Sequence, residues 1–435
     1  MKAPRRRPSA PPALALALAA LAILAAPAVP AAPAAAGAGW PHWRGPNHDG
    51  TSAERGLPVE WSAGRNVLWK LPLPGVSGAT PIVAGGTVFL HVGDGERLEL
   101  WAVSAADGAV RWKRPLGGGN QVTRKQNLSS PSPVTDGERV WVVTGTGVVS
   151  AFDLAGRQLW WRDLQKEHGP FGLMWGYASS PLLVDGALVV QVLHGMQTDD
   201  PSYLIAFDAA TGKTRWRVER PTDARMESPD AYTTPVLLTA HGRRELVISG
   251  GDYLTGHDPK TGEELWRVGG LNPGKERNYR IVATPIAVGD RLFVPSRVAP
   301  LLALRVPPKG PPEVVWSTDR GPDVPSPVSD GERLYVVNDN GILRRFDAAT
   351  GAEIGGPLRL AEGVQSASPV LAEGRLYATN ENGVTTVVAL AGEPRIVAEN
   401  ALPGYTLASP AIAGGRIYLR TAEHLWCIGS GAQGG

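Results

Sequence analysis

Eight times along the chain a small residue is followed by proline: Thr80-Pro81, Ser132-Pro133, Ser180-Pro181, Thr234-Pro235, Thr284-Pro285, Ser326-Pro327, Ser368-Pro369 and Ser409-Pro410, at intervals of 41 to 54 residues. Self-similarity at such a period marks a repeat architecture, in which each unit buries its apolar face only against its neighbours. Eight residues beyond the proline stands Phe89, Trp141, Val189, Phe293, Tyr335, Tyr377 or Tyr418. The Pro235 unit departs from this count, and its His241-Gly242-Arg243-Arg244 reads as a lengthened hairpin turn. A second signal, a turn and then a tryptophan, falls later in the unit. Its copies are Asp107-Gly108 with Trp112, Gly156 with Trp160, Asp208 to Gly212 with Trp216, and Asp258 to Gly262 with Trp266. Asp347 to Gly351 is followed by Gly355 where tryptophan is expected.

Each unit therefore reads as four short strands. In the second they are Pro133 to Thr135, Val140 to Thr144, Val148 to Asp153 and Gln158 to Asp163. Asp caps the turns between them and Gly accepts positive φ there, while the β-branched and aromatic runs suit strands. The 53 Gly and 39 Pro among 435 residues agree, since many tight turns need them. A four-stranded unit repeated radially is a propeller blade. The sequence predicts an all-β fold, an eight-bladed β-propeller of four-stranded antiparallel blades over residues 67–428. The eighth unit supplies three strands and ends near Cys427-Ile428. Its missing outer strand is read at the other end of the propeller, in Val67-Leu68-Trp69-Lys70-Leu71. That N-terminal strand closes the ring and removes the two free edges of an open array.

Tryptophan on an outer strand has a structural reading. It buries a large apolar area and its indole N–H needs an acceptor, which the edge of the next blade offers. Trp69, Trp112, Trp160, Trp216, Trp266 and Trp316 are read as inter-blade wedges.

Residues 1–36 read as a signal peptide, with a basic head at Lys2, Arg5, Arg6 and Arg7 and an apolar run from Ala13 to Ala26. Fourteen apolar residues are short for a membrane span of roughly 20. No cysteine follows the run, so lipid attachment there is not expected. Residues 37–66 read as an N-terminal strap and 429–435 as a disordered tail. The chain is expected to be secreted across the inner membrane, to a periplasmic or extracellular place, with no stable membrane insertion after signal cleavage. Without the leader's four cations, the 43 Lys and Arg fall to 39 against 41 Asp and Glu, which gives no global reason to bind nucleic acid. One cysteine, Cys427, excludes an internal disulfide framework.

The run Ala206-Phe207-Asp208-Ala209-Ala210-Thr211-Gly212-Lys213-Thr214-Arg215-Trp216 resembles the tryptophan-docking repeat of the pyrroloquinoline-quinone (PQQ) propellers. The opening Trp40-Pro41-His42-Trp43-Arg44-Gly45-Pro46 resembles the start of secreted PQQ-like repeat proteins of bacteria. The resemblance covers residues 40 to 428. It implies the superfamily that holds the quinoprotein alcohol dehydrogenases and the non-enzymatic propeller of the outer-membrane barrel-assembly machinery. Many of the dehydrogenases carry a vicinal disulfide over the quinone, which this chain cannot form. They also hold calcium with a Glu, an Asn and a catalytic Asp, and none of these is carried over onto this sequence. There is no Cys-x-x-Cys-His haem site.

The repeats also say where a site would lie. The connection from the outer strand to the next proline is 21 residues after Trp112 and Trp160, and 19 after Trp216 and Trp266. Elsewhere it is 11 to 14. Four long connections in succession make a raised crescent on one face, and long ordered loops carry function. The candidate ligand- or partner-binding residues are Lys125, His168, Trp175, Tyr177, His194, Arg225, Tyr232, Asp252, Arg280 and Arg297. Convergent aromatic and charged groups at a channel mouth suit a protein, a peptide or a small polar ligand. No catalytic or metal-ligating residue is assigned, and no cofactor is expected. The chain thus reads as a secreted, non-catalytic binding or assembly module. The alternative is a PQQ- or metal-dependent oxidoreductase working at the channel mouth, with PQQ and calcium as its cofactors.

Overall fold

A computed structural model describes residue 1 and residues 39–430. The signal-peptide reading of 1–36 and most of the tail, 431–435, lie outside the described residues. The strands form eight blades, each of four antiparallel strands; the sheet of the seventh gains Thr51–Ser52 as a fifth, parallel strand, and Val122–Thr123 pairs with Gln126–Asn127 in a separate two-stranded sheet. Blade 1 is Ile82–Ala84, Thr87–Asp94, Arg97–Ser104 and Val110–Gly117. Blades 2 to 7 begin at the inner strands Val134–Thr135, Leu182–Val184, Val236–Ala240, Ile286–Val288, Val328–Ser329 and Val370–Ala372. Blade 8 has inner strands Ala411–Ala413, Arg416–Arg420 and His424–Ile428, and its outer strand is Val67–Pro72. Trp69 pairs there with Cys427 and Leu71 with Leu425, so the N-terminal strand closes the ring.

The proline period fixes the inner hairpins. Proline has no N–H to donate, so it fits the residue just ahead of a strand. The residue after it then pairs across a tight turn with the residue eight beyond the proline: Ile82 with Phe89, Leu182 with Val189, Val328 with Tyr335. In blade 4 the strands are longer, the turn is His241-Gly242, and Val236 pairs with Val247. Arg243 and Arg244, read from sequence as turn residues, are the first residues of the second strand.

A hydroxyl belt joins the blades at the axis. The amide of Thr80 donates to Ser132 Oγ (2.9 Å), Ser132 to Ser180 (3.0 Å), Ser180 to Thr234 (3.3 Å) and Thr234 to Thr284 (3.0 Å). Thr284 donates to Ser326, Ser326 to Ser368 and Ser368 to Ser409 (each 2.9 Å), and Ser409 returns to Thr80 (3.2 Å). A backbone N–H that has no partner within its own blade is thus satisfied by the next one. The circuit closes only because blade 8 is complete.

Between blades, the outer-strand tryptophans dock on their neighbours. The indole N–H of Trp69, Trp112, Trp160, Trp216 and Trp316 donates to the carbonyls of Ala105, Leu154, Ala209, Pro259 and Ala348, at 2.9–3.2 Å. The ring lies flat on the turn glycine of the next blade. At Gly212 (φ +70°) an added Cβ would stand 2.6 Å from Trp160. A β-bulge that skips the residue before the tryptophan, such as Leu159 or Arg215, lets the outer strand present the ring this way.

Trp266 departs from the wedge expectation. Its indole donates to Glu245 Oε2 (2.6 Å) of its own blade and packs over Gly256. The facing turn of blade 5 is Pro307-Pro308-Lys309-Gly310-Pro311-Pro312, which lacks the Asp-to-Gly turn that the other indoles cover. Arg243 links the two blades instead, donating to Pro307 O and Gly310 O while ion-paired to Glu245. In blade 6, where Gly355 replaces tryptophan, the buried Arg345 reaches blade 7 through Gly392 O (3.1 Å) and Glu393 (3.2 Å).

Candidate functional site

The belt surrounds a channel whose ends differ. The inner strands enter from the long connections at one end and turn back at the other. The strap lies across the hairpin end. Trp40 bridges to Val83 of blade 1, and Thr51–Ser52 pairs in parallel with Leu371 and Ala372 of blade 7. Between these anchors Arg44 is fully buried and donates to Pro369 O (3.0 Å), Pro327 O (2.6 Å) and Asp49 O (2.9 Å). His42 and His48 pack edge to face, 4.3 Å between ring centres. Burial holds His48 down to about 4 and His42 well below its ordinary value, so both are neutral at pH 7.

Towards the crescent the channel opens into a cavity of about 540 Å³. Trp43 of the strap and all eight belt residues line it. So do the residues two before each hydroxyl, Gly78, Ser130, Ala178, Tyr232, Val282, Val324, Ser366 and Leu407, as the two-residue alternation of an extended segment requires. The rim adds Arg124, Lys125, Trp175, Arg280, Asp323, Asp339 and the amides of Asn338 and Asn340.

Four of the ten sequence candidates, Lys125, Trp175, Tyr232 and Arg280, meet at this cavity. Trp175 Nε1 donates to Glu227 (2.8 Å), its backbone N–H donates to Tyr232 Oη (3.1 Å), and the Arg124 guanidinium lies 5.4 Å from its ring centre. Lys125 pairs with Glu381 (2.7 Å), and Arg280 stands between Glu227 (3.7 Å) and Asp323 (3.5 Å). Asp339 accepts the Asp323 amide at 2.8 Å; burial first, then the charge of Asp323, raises its pKa.

The other six lie away from the lining. Tyr177 is buried and donates to Gln191 O (2.9 Å). His194 accepts the Gly172 amide on Nδ1 (3.0 Å), and burial lowers its pKa. His168 packs edge-on against Tyr203, and its pKa is lowered by burial and then by Arg217. Asp252 is buried, accepting from Ser228 Oγ (2.5 Å) and Asn272 Nδ2 (2.9 Å). Arg297 donates to Asn278 O, and Arg225 is exposed to solvent. Most of these tie the crescent loops together. Asp230 does the same with three backbone amides, of Met174, Gly195 and Met196, and burial still raises its pKa to about 6.

Sequence reasoning passed over Trp43, Asp323, Asp339 and the belt. Asp323 and Asp339 lie on short loops of blades 5 and 6, outside the long crescent. The belt did have a visible signal, because every residue before the eight prolines is Ser or Thr.

Chemically the cavity offers cations, carboxylates, amides and hydroxyls around an aromatic wall. Its described lining contains no histidine or cysteine. Calcium seated under a quinone needs several oxygen ligands gathered on one point. Among the described residues no three His, Cys, Asp or Glu side chains gather as metal ligands. Asp323 and Asp339 stand together, but one accepts the other's amide and Arg280 faces Asp323.

The family described as outer membrane protein assembly factor BamB matches residues 51–168 and 117–355. No curated protein matches the sequence. Among solved structures, BamB from Moraxella catarrhalis is similar with a TM-score of 0.61 at 14% identity, over 83% of this chain and 98% of that one. A europium-containing methanol dehydrogenase gives 0.66 at 13% identity, over 89% and 90%. The quinohemoprotein alcohol dehydrogenase from Comamonas testosteroni gives 0.64 at 10% identity, over 91% and 82%. At these identities the likeness is one of fold.

Proposed function

From the premise that the chain belongs to the family of outer membrane protein assembly factor BamB, we propose that it is an exported binding module that presents the crescent end of its channel to a protein or peptide partner. The observation that carries this reading is the composition of the rim. Val298 and Val364, 50% and 45% exposed, line the cavity with Arg124, Lys125 and Arg280, and Val122, 64% exposed, stands two residues before Arg124. Exposed apolar side chains rimmed by charge are the usual composition of a protein-contact surface. The loops bearing them are tied down by Gln126, which donates to Trp175 O (2.7 Å), by Ser296 Oγ, which donates to Pro300 O (2.7 Å), and by Asn380, which donates to Glu362 O (2.9 Å), so the surface is preorganised. No described helix is long and apolar enough to cross a membrane. The reading places the chain outside the cytoplasm without stable membrane insertion.

The test replaces Val298 and Val364 together by Asp and measures which proteins co-purify from the producing cells, identified by mass spectrometry. One protein enriched with the unaltered chain should be lost with the rim variant. It should be retained with Val314→Asp, a change on an exposed outer strand of blade 5. Equal recovery with all three chains would overturn the reading.

A further inference from the structure

The strap end of the cavity is lined by hydrogen-bond donors that have no protein acceptor among the described residues. Each of the eight belt hydroxyls already accepts an amide N–H from the preceding blade. A hydroxyl oxygen so engaged still has one proton to donate and one lone pair to accept with. Among the described residues none of the eight donates to a protein acceptor, and all eight side chains are buried and line the cavity. Trp43 Nε1 can only donate, lines the same cavity and is buried without an acceptor; Ser130 Oγ is likewise unpartnered.

Behind this floor sits a positive charge. Arg44 is fully buried, and its hydrogen bonds go to carbonyl oxygens. Two of those carbonyls belong to Pro327 and Pro369, the residues directly after belt members Ser326 and Ser368. A carbonyl dipole does not neutralise a guanidinium, and with Asp49 the one carboxylate acting on it, part of its field reaches the floor through a low-dielectric wall.

We propose that the channel floor is a binding site for an oxyanion, a phosphate or carboxylate group carried by a small ligand that enters from the crescent end. An oxyanion brings acceptors only. Charge-assisted hydrogen bonds to it are about twice as strong as neutral ones. The site is separate from the rim surface proposed above and does not depend on that reading.

The test is calorimetric titration of the full chain, in chloride-free buffer, with inorganic phosphate and, separately, with acetate. Saturable 1:1 binding of either anion is expected, and the tighter of the two identifies the source of the oxyanion. Trp43→Phe keeps a ring in the floor and removes one donor, and should weaken binding about tenfold. Its melting temperature without ligand shows that the fold is retained. Ser368→Ala removes a belt proton beside Arg44 and should weaken binding comparably. Should Ser368→Ala fail to fold, Trp43→Phe decides alone. The proposal fails if neither anion binds saturably, or if Trp43→Phe binds as tightly as the unaltered chain.

Discussion

At the strap end of the channel, Arg44 is fully buried and spends its donors on three backbone carbonyls. At the crescent end, Lys125 and Arg280 pair with carboxylates at a solvent-facing mouth. Both ends carry aromatic and cationic side chains, so composition alone does not tell them apart. The difference lies in what surrounds the charge. A buried cation bound to carbonyls is locked to its neighbours, because moving it leaves polar groups unsatisfied away from water. Lys125, its side chain 45% exposed, exchanges its carboxylate partner at little cost, while Arg280, 17% exposed, is held more firmly between two. One end is a structural plug, and the other is a surface able to meet something else.

The largest expected effect comes from breaking the ring that both ends share. Deleting Val67–Pro72 leaves blade 8 with three strands and opens the hydroxyl circuit between Ser409 and Thr80. Cooperative thermal unfolding should be lost and the chain should aggregate by its free edge. A monomeric deletion protein with an unchanged melting temperature would remove the closure model.

Next in size is a docked wedge. Trp216→Ala empties the seat over Gly262 and leaves Pro259 O without its donor, and should cost about 3–5 kcal/mol in denaturant unfolding. A loss under about 1 kcal/mol would show that the blades hold together without it.

Acid should act on both ends, because burial lowers the pKa of His168 and His194 in the crescent as well as that of His48 in the strap. His48 titrates near 4 in the fold and near 6.5 when unfolded, because burial disfavours its charged form. Its stabilising effect is complete above pH 6.5. It is lost as pH falls towards 4, where the unfolded chain takes up a proton that the folded one refuses, for about 3 kcal/mol in all. His48→Asn, which tolerates the φ of +60° there, should leave the melting temperature at pH 7.5 nearly unchanged and flatten its fall between pH 6 and 4.5. An unchanged slope would show that His48 does not carry it.

The smallest effect belongs to the rim. Lys125→Ala breaks the pair with Glu381, whose lysine side chain is 45% exposed, and should move stability by no more than about 1 kcal/mol. A loss comparable to that of Trp216→Ala would mean that the crescent end is framework as well.

These contrasts also mark what could be read from sequence. Proline position and the Asp-to-Gly turns act within a few residues, so the eight blades and the closing strand were legible. The tryptophan at Trp266 was legible, but its partner was not. Whether an indole reaches the next blade depends on a turn some forty residues away, and in blade 5 that turn is proline-rich. Loop length located the crescent but not the direction of its side chains. Tyr177 and His194 turned inward to satisfy backbone groups that a long loop would otherwise leave unpaired, and Asp252 turned inward to accept from the side chains of Ser228 and Asn272. Asp323 and Asp339 reached the rim from short loops because the axis brings every blade equally close. The hydroxyl before each proline was in plain view, but its role exists only once the ring is closed.

The central claim is that a protein partner is recognised at the crescent end and not on the outer face of the strap. A photo-crosslinking amino acid placed singly at Val122, at Val298 and at Ala53, the last an exposed strap position, tests it directly in the producing cells. The account predicts a discrete crosslinked product, with the same partner, from Val122 and Val298 and none from Ala53. A product from Ala53 alone, or from none of the three, would contradict it.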